Sequence, residues 1–121
     1  MVLDTNILIA YLNGEPAVVD ALCRWREEGR ALLISSISFA EVLALPALGS
    51  SDLRLVTRFL RTFLSIALDD HVAEVAAGLS RAYRLKLPDA AIAATAAVHA
   101  MPLVSRDRIF RRVTEIELIG L

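Results

Sequence analysis

The sequence predicts an α/β fold, a single three-layer α/β/α domain with a parallel sheet of four to five strands. Short apolar segments of strand length alternate with longer segments of helical periodicity along the whole chain. This alternation is typical of a parallel sheet whose strands are joined by helices on both faces. One strand-length segment, residues 31–34, is a continuous apolar run, as expected for a strand covered on both sides.

Length and composition indicate that residues 1–121 form one domain. The chain has 121 residues, of which 56% are hydrophobic. That is enough to form a core of ordinary size for one domain. No internal repeat, low-complexity tract or long linker divides the sequence.

Charge and cysteine content limit the possible function classes. The chain has thirteen basic and fourteen acidic residues, for a net charge of −1. Any phosphate contact must therefore come from a local patch of basic residues rather than from a positive charge of the whole protein. Cys23 is the only cysteine, which excludes an internal disulfide and suits a reducing compartment. No apolar run has the length of a membrane helix, and the N-terminus lacks a signal-peptide pattern. We therefore expect a soluble, cytoplasmic protein that is not bound to a membrane.

The first half of the chain carries the patterns of two strands and four helices. Asn13-Gly14 and Gly29 are typical of helix ends, Pro16 of a first helical turn, and Pro46 of a helix stop. In chain order we predict a strand at residues 2–5, helices at 6–12 and 16–28, a strand at 31–34, and helices at 39–45 and 52–64.

The second half carries the patterns of three strands and two helices. Asp69 and Asp70 are suited to cap one helix, and Asp89 is suited to open the next. The latter helix is rich in alanine, which permits close packing beneath the sheet. In chain order we predict a strand at residues 66–68, helices at 70–83 and 90–100, and strands at 103–105 and 116–119.

Four acidic residues are candidates for a common site. Asp4 ends the first predicted strand, Glu41 lies early in the helix after the second, Asp89 opens the alanine-rich helix, and Asp107 follows the fourth strand. In open α/β sheets the carboxyl ends of the strands face the ligand crevice. We therefore expect these four carboxylates to converge there.

Each of these acids also has a purely structural interpretation. Asp4 and Asp89 could serve only as helix caps, and Asp107 could lie in a solvated turn. Glu41 stands three residues after Ser38, which is the spacing of a capping box. Against a purely local role, Glu41 lies in an apolar stretch with no basic residue nearby in sequence to pair with it, and such a carboxylate is expensive to bury.

Four carboxylates in one crevice could not all stay ionised without a counter-charge. Mg²⁺ prefers oxygen ligands and keeps several waters, and Mn²⁺ would fit the same ligands. Such a site suits metal-assisted hydrolysis of a phosphodiester by one ion or two. Thr5, Asn6 and Ser105 lie beside the predicted strand ends and could orient Asp4 or a bound water.

Arginines supply twelve of the thirteen basic residues. One group surrounds Asp107 and could hold RNA phosphates, or alternatively an acidic partner segment. It consists of Arg106, Arg108, Arg111 and Arg112. A second group shares one helix face, which we interpret as a solvated face, with a patch for RNA or a partner as the alternative. It consists of Arg54, Arg58 and Arg61.

The chain resembles PIN domains over essentially its whole length, and among them the VapC-type toxins of bacterial toxin–antitoxin pairs. Four segments carry the resemblance: residues 2–6 (Val-Leu-Asp-Thr-Asn), 38–42 (Ser-Phe-Ala-Glu-Val), 87–96 (Leu-Pro-Asp-Ala-Ala-Ile-Ala-Ala-Thr-Ala) and 103–107 (Leu-Val-Ser-Arg-Asp). Each motif is short, but their order and spacing together are specific.

The resemblance implies an endoribonuclease that depends on Mg²⁺ or Mn²⁺ and is built on a five-stranded parallel sheet. It also implies the toxin of a type II toxin–antitoxin system, a homodimer held inactive by a small cognate antitoxin. Carried over by position, the acidic quartet would be Asp4, Glu41, Asp89 and Asp107. Of these we predict Asp4, Asp89 and Asp107 as metal ligands. Asn6 and Ser105 match polar positions nearby.

The chain departs from the family pattern at two positions. Ile109 precedes Phe110 where the family often has a further aspartate, and Asp107 stands where asparagine is common. Two other hypotheses remain open at this point. One is a PIN-like binding module without turnover that acts through a partner protein. The other is a phosphatase-like hydrolase with Asp4 as nucleophile, although that chemistry calls for a second acid where Asn6 stands.

Overall fold

A five-stranded parallel sheet forms the centre of the protein, as predicted. The computed structural model describes residues 1–121. The strands are β1 (Val2–Leu3), β2 (Leu33–Ser35), β3 (Leu64–Ile66), β4 (Leu103–Val104) and β5 (Leu118–Ile119). Every pairing is parallel, and the strand order is β3-β2-β1-β4-β5. The chain therefore builds outward from β1 in one direction and then in the other. This places the topological switch point between β1 and β4, where ligand crevices form in open α/β sheets.

Helices cover both faces of this sheet. They are α1 (Thr5–Leu12), α2 (Pro16–Glu27), α3 (Ser36–Leu43), α4 (Ser50–Leu60), α5 (Asp70–Tyr83) and α6 (Leu87–Val98), and a short 3₁₀ helix follows at Arg108–Arg112. The longest of them, α5, has 14 residues, and no helix has the length and apolar content needed to cross a membrane.

Alternating strand side chains divide the core into two layers. Leu3 and Ile34 pack with apolar residues of α1, α2 and α4, whereas Val2 and Leu33 pack with those of α5 and α6. Successive residues of a strand point to opposite faces of the sheet, so even two-residue strands contribute to both layers. The three-layer α/β/α architecture is therefore confirmed.

Helix α6 reaches the sheet through small side chains. Its residues 90–96 are all buried, and five of these seven are alanines that are at most 3% exposed. Alanine has the highest helix propensity and a single methyl group as its side chain. The helix can therefore lie close to the sheet, as the alanine content predicted, and it also packs against α5.

Two helices, α3 and α6, begin three residues earlier than predicted, and both corrections concern site residues. Helix α3 begins at Ser36 because Ser35 is its N-cap: the Ser35 Oγ accepts a hydrogen bond from the backbone N–H of Ile37 at 3.1 Å. Ser38 therefore lies inside the helix, and its interpretation as half of a capping box with Glu41 is wrong.

Helix α6 begins at Leu87 with Lys86 as its N-cap residue. Proline is favoured in the first helical turn because its missing N–H has no partner to lose there. Pro88 therefore lies inside the helix rather than before it. Asp89 consequently lies in the first turn, and its interpretation as the N-cap residue is wrong.

Smaller differences occur at the other boundaries. Strand β3 occupies Leu64–Ile66 instead of residues 66–68, because the Leu64 N–H pairs with the Leu32 carbonyl. The 3₁₀ helix was not predicted. Gly14 and Gly29 both have φ of 71°, a left-handed conformation that glycine adopts easily after a helix, in agreement with the predicted helix ends.

Candidate active site

Asp4 stands at the switch point of the sheet. Its backbone N–H donates to the Val104 carbonyl at 2.9 Å, so the residue continues the pairing of β1 with β4 before α1 begins. Its side chain caps that helix, with Oδ1 accepting from the Thr5 N–H at 2.7 Å. The capping interpretation is therefore correct, and it accounts for only one of the two carboxylate oxygens.

The second oxygen of Asp4 is held by Ser105. The Ser105 hydroxyl donates to Asp4 Oδ2 at 2.6 Å, and both residues are buried, at 5% and 2% exposed. Burial nevertheless raises the pKa of Asp4 to about 6, because the hydrogen bonds from Ser105 and Thr5 only partly oppose desolvation, and the charges of Asp89 and Glu41 raise it further. Asp4 is thus a buried carboxylate for which the protein supplies no positive partner.

Asp89 links the four acids electrostatically. Its pKa is raised above the ordinary value by burial first, and then by the charges of Asp107 and Glu41, with Lys86 acting in the opposite direction. Since Asp89 also raises the pKa of Asp4, it lies within electrostatic range of the other three acids. The structure therefore places Asp4, Glu41 and Asp107 within electrostatic range of Asp89.

Ser105 connects Asp4 to the loop that carries Asp107. Its Oγ accepts hydrogen bonds from the Asp107 N–H at 3.0 Å and from Asn6 Nδ2 at 3.4 Å. Asn6 Oδ1 in turn accepts from the Arg106 N–H at 3.5 Å. The side chain of Asp107 caps the 3₁₀ helix through one oxygen, which accepts from the Ile109 N–H at 3.0 Å, leaving the other without a protein partner.

Glu41 is held by the hydroxyl group of Thr5. The Thr5 hydroxyl lies 2.7 Å from Glu41 Oε1 and 3.0 Å from Ser38 Oγ. Ser38 is fully buried, whereas Glu41 is exposed. From the sequence, Ser38 is interpreted only as a helix cap. Its position three residues before Glu41 places both residues on one face of α3, and that spacing could have identified Ser38 as a residue of the site.

The donor set suits a hard divalent cation, since it consists of carboxylate oxygens with uncompensated negative charge. As the side chains stand, no three acidic, histidine or cysteine residues are close enough together to hold one ion. Asp4, Glu41 and Asp107 each give an oxygen to a hydrogen bond within the protein. Binding an ion between them would therefore require these side chains to rearrange.

Two of the four arginines near Asp107 have structural roles. Arg106 forms an ion pair with Glu15 at 2.5 Å and donates from Nε to the Leu121 carbonyl at 3.1 Å. Arg112 donates to the Tyr83 carbonyl at 2.8 Å. Their guanidinium groups are thus already engaged in holding the chain together.

Arg108 and Arg111 have no partner in the protein, and both are exposed. They line an open cavity of about 640 Å³ whose wall also includes Ser105 and Asp107. The cavity thus adjoins the acidic site. Arg54 and Arg58 of α4, and Arg61 directly after it, are also exposed and lie around a shallow depression beside Leu53 and Thr57. This depression does not include any of the four acids.

Comparisons with known proteins agree with this architecture. The family model of the PIN domain matches residues 1–116. A toxin–antitoxin complex from Klebsiella pneumoniae contains a chain with 32% identity and a TM-score of 0.84, with 98% of this chain and 94% of that chain covered. A comparison with the curated proteins gives no match.

Two more distant solved structures share the fold. VapBC2 from Rickettsia felis, bound to a DNA fragment from its promoter, has 20% identity and a TM-score of 0.84, with 98% and 96% of the two chains covered. FitAcB from Neisseria gonorrhoeae has 24% identity and a TM-score of 0.76, with 98% and 95% covered.

Proposed function

The chain belongs to the PIN-domain family, and from that membership we propose that it is a metal-dependent endoribonuclease, a VapC-type toxin of a type II toxin–antitoxin system. We propose further that residues 1–121 act as one nuclease domain in the cytoplasm. The observation that carries the proposal is the buried Asp4, whose pKa is raised to about 6 at the switch point of the sheet. The charges of Glu41 and Asp89 act on Asp4, and that of Asp107 acts on Asp89. A carboxylate buried without a counter-charge is characteristic of a site that binds a cation.

Asp4, Asp89 and Asp107 would hold Mg²⁺ or Mn²⁺. When bound, the ion would lower the pKa of a water and neutralise the phosphate to be cleaved. Ser105 and the Thr5 N–H fix the orientation of Asp4. Glu41 keeps one oxygen free of protein contacts, and we assign to it the role of accepting a proton from the attacking water.

Arg108 and Arg111 are the residues that we propose for RNA binding. Their guanidinium groups are unpaired, and both residues line the cavity that Asp107 also lines, where each could bind a backbone phosphate. Arg106 and Arg112 were predicted for the same role. Because their guanidinium groups are engaged within the protein, we propose that they contribute to RNA binding mainly by shaping the surface on which Arg108 and Arg111 stand.

Cleavage of a mixed-sequence RNA tests this function. We expect activity with added Mg²⁺ or Mn²⁺, no activity in excess chelator, and a loss of at least a hundred-fold in Asp4→Asn and Asp89→Asn. Asp20→Asn, an exposed aspartate of α2, is the matched control and should retain full activity. Cleavage that persists in chelator, or in both site variants, would rule the proposal out.

The alternative is a PIN-like binding module without turnover. It is favoured by the absence of three acids at ion-binding spacing in the side-chain arrangement described. Calorimetric titration with Mn²⁺ separates the two functions. A nuclease should bind Mn²⁺ in the wild type and lose that binding in Asp89→Asn, whereas a module without turnover should show neither saturable binding nor cleavage.

We also propose a cognate antitoxin and a homodimer as partners. The similar chain from Klebsiella pneumoniae is part of a toxin–antitoxin complex. Apolar side chains are available for such contacts, since Leu55 of α4 and Leu64 of β3 are 63% and 61% exposed. Light scattering on the purified protein should give twice the 13.2 kDa of the chain, and a monomer at all concentrations would exclude the homodimer.

A further inference from the structure

We propose that Ser38 is a positioning residue for Glu41, acting through a hydroxyl relay that runs from Ser38 to Thr5 and from Thr5 to Glu41. The relay consists of the Ser38 Oγ, the Thr5 Oγ1 and the Glu41 Oε1, in that order. Its effect on catalysis rests on the proposed nuclease function, whereas its geometry does not.

The direction of the relay follows from counting protons. Thr5 has a single hydroxyl proton, and its Oγ1 lies within hydrogen-bonding distance of two groups, Glu41 Oε1 at 2.7 Å and Ser38 Oγ at 3.0 Å. An ionised carboxylate can only accept, so the Thr5 proton belongs to Glu41. The second contact is then a hydrogen bond only if Ser38 donates its own proton to Thr5.

The relay joins two elements that are far apart in sequence. Thr5 is the first residue of α1, and Ser38 and Glu41 lie on one face of α3. A serine inside a helix commonly bonds to a carbonyl of the preceding turn, whereas the hydroxyl of Ser38 contacts that of Thr5. Since Ser38 is 0% exposed, no water can replace Thr5 as its partner without a rearrangement.

The relay determines how Glu41 can act. A glutamate on an exposed helix surface samples several rotamers, but here Oε1 is held by the Thr5 hydroxyl while Oε2 has no protein partner. One defined oxygen is therefore available for a water or a substrate. Because the only proton of Thr5 is committed to Glu41, Thr5 acts on the reaction through Glu41 rather than by donating to RNA.

Three variants and one control test the relay. Ser38→Ala removes the first donor, Thr5→Val removes the middle hydroxyl at nearly constant volume, and Thr5→Ser keeps that hydroxyl. Thr95→Val is the control, because Thr95 is a buried residue of α6 whose hydroxyl donates to the Ala91 carbonyl at 2.8 Å and forms no hydrogen bond with any of the four acids.

We expect kcat for RNA cleavage to fall about ten-fold in Ser38→Ala and Thr5→Val with KM changed less than two-fold, because a mispositioned proton acceptor affects the chemical step. Thr5→Ser should restore kcat to within about two-fold of the wild type, and Thr95→Val should leave it unchanged.

A second readout needs neither metal nor RNA. In the metal-free protein, the ¹³C NMR signal of the Glu41 side-chain carboxyl should shift in Ser38→Ala and Thr5→Val and stay near its wild-type position in Thr5→Ser and Thr95→Val. An unshifted Glu41 signal in both Ser38→Ala and Thr5→Val would overturn the relay. If the wild type fails to cleave RNA, the nuclease proposal fails, and the NMR comparison still decides on the relay.

Discussion

The two halves of the acidic site are constrained in different ways. Asp4 lies at a strand end, is 5% exposed, and has both carboxylate oxygens bonded, one by a backbone N–H and one by Ser105. Glu41 lies on a helix, is exposed, and is bonded through a single oxygen by a side-chain hydroxyl. Asp4, the strand half, therefore has a fixed position, but burial makes its charge unfavourable. Glu41, the helix half, carries a charge that is exposed to solvent, and its position depends on other side chains.

We therefore expect stability and activity to respond separately to substitutions in the two halves. Neutralising the buried acid removes a charge that opposes folding of the metal-free protein, while neutralising the exposed one changes little in the fold. Four variants or conditions test that separation.

The largest effect is expected for Asp4→Asn. Cleavage should fall about a thousand-fold, equivalent to ~4 kcal/mol, because a buried ligand and its charge are lost. The metal-free variant should nevertheless be more stable than the wild type by about 1 kcal/mol, since the removal of an unpaired buried charge exceeds the loss of one hydrogen bond with Ser105. Urea unfolding in chelator measures this, with Asp20→Asn as control. An Asp4→Asn variant that is less stable than the wild type in chelator would contradict this prediction.

Glu41→Gln should separate the effect on activity from the effect on stability most clearly. Activity should fall about a hundred-fold because the proton acceptor is lost, while the free energy of unfolding should change by less than about 0.5 kcal/mol, as for most exposed substitutions. Glu27→Gln, at an exposed position of α2, should change neither. A large loss of stability in Glu41→Gln would show that both halves support the fold.

The stability of the metal-free protein should depend on pH through Asp4. Because its pKa in the folded protein is about 6 and that of an unfolded aspartate is about 4, the folded state binds more protons in this interval, and stability falls as pH rises through it. Asp89, whose pKa is also raised, acts with the same sign. We expect a decrease of about 2 kcal/mol between pH 4 and pH 7.

Urea unfolding at a series of pH values measures this decrease. In Asp4→Asn most of the pH dependence should disappear, and saturating Mn²⁺ should reverse it in the wild type, because ion binding favours the ionised carboxylates. A stability that rises with pH over this interval in chelator would refute the assignment.

The smallest effect concerns Ser105→Ala. This variant removes the hydroxyl that donates to Asp4 and accepts from Asp107 and Asn6, and it should destabilise the protein by about 1 kcal/mol. Ser80→Ala, which removes a single hydrogen bond to the Leu85 carbonyl, provides the comparison. Equal losses of stability in the two variants would show that the three hydrogen bonds of the Ser105 hydroxyl stabilise the protein no more than the single hydrogen bond of Ser80.

The sheet and its connecting helices could be predicted from the sequence because alternating apolar and helical patterns are local signals. Helix starts were harder to predict. Ser35 and Ser38 are both chemically able to cap α3, and only the pairing of β2 decides that Ser35 does so.

The long-range contacts of the site were not predictable from local signals. The hydrogen bonds from Thr5 to Glu41 and from Ser105 to Asp4, and the ion pair of Arg106 with Glu15, join residues that become neighbours only after the strands have assembled. Chemical type indicated which residues could participate, but only the fold determines how they are paired.

The alanine surface of α6 has a consequence for the site at its end. Asp89 lies in the first turn of a helix whose distance from the sheet is set by methyl groups, so that distance has little tolerance for added volume. A longer side chain at Ala93 or Ala94 would push the whole helix outward and carry Asp89 away from Asp4. The alanine methyl groups of α6 thus fix the separation between this helix and the sheet. Substitutions among these buried alanines would change the distance between Asp89 and Asp4, although they contact neither acid.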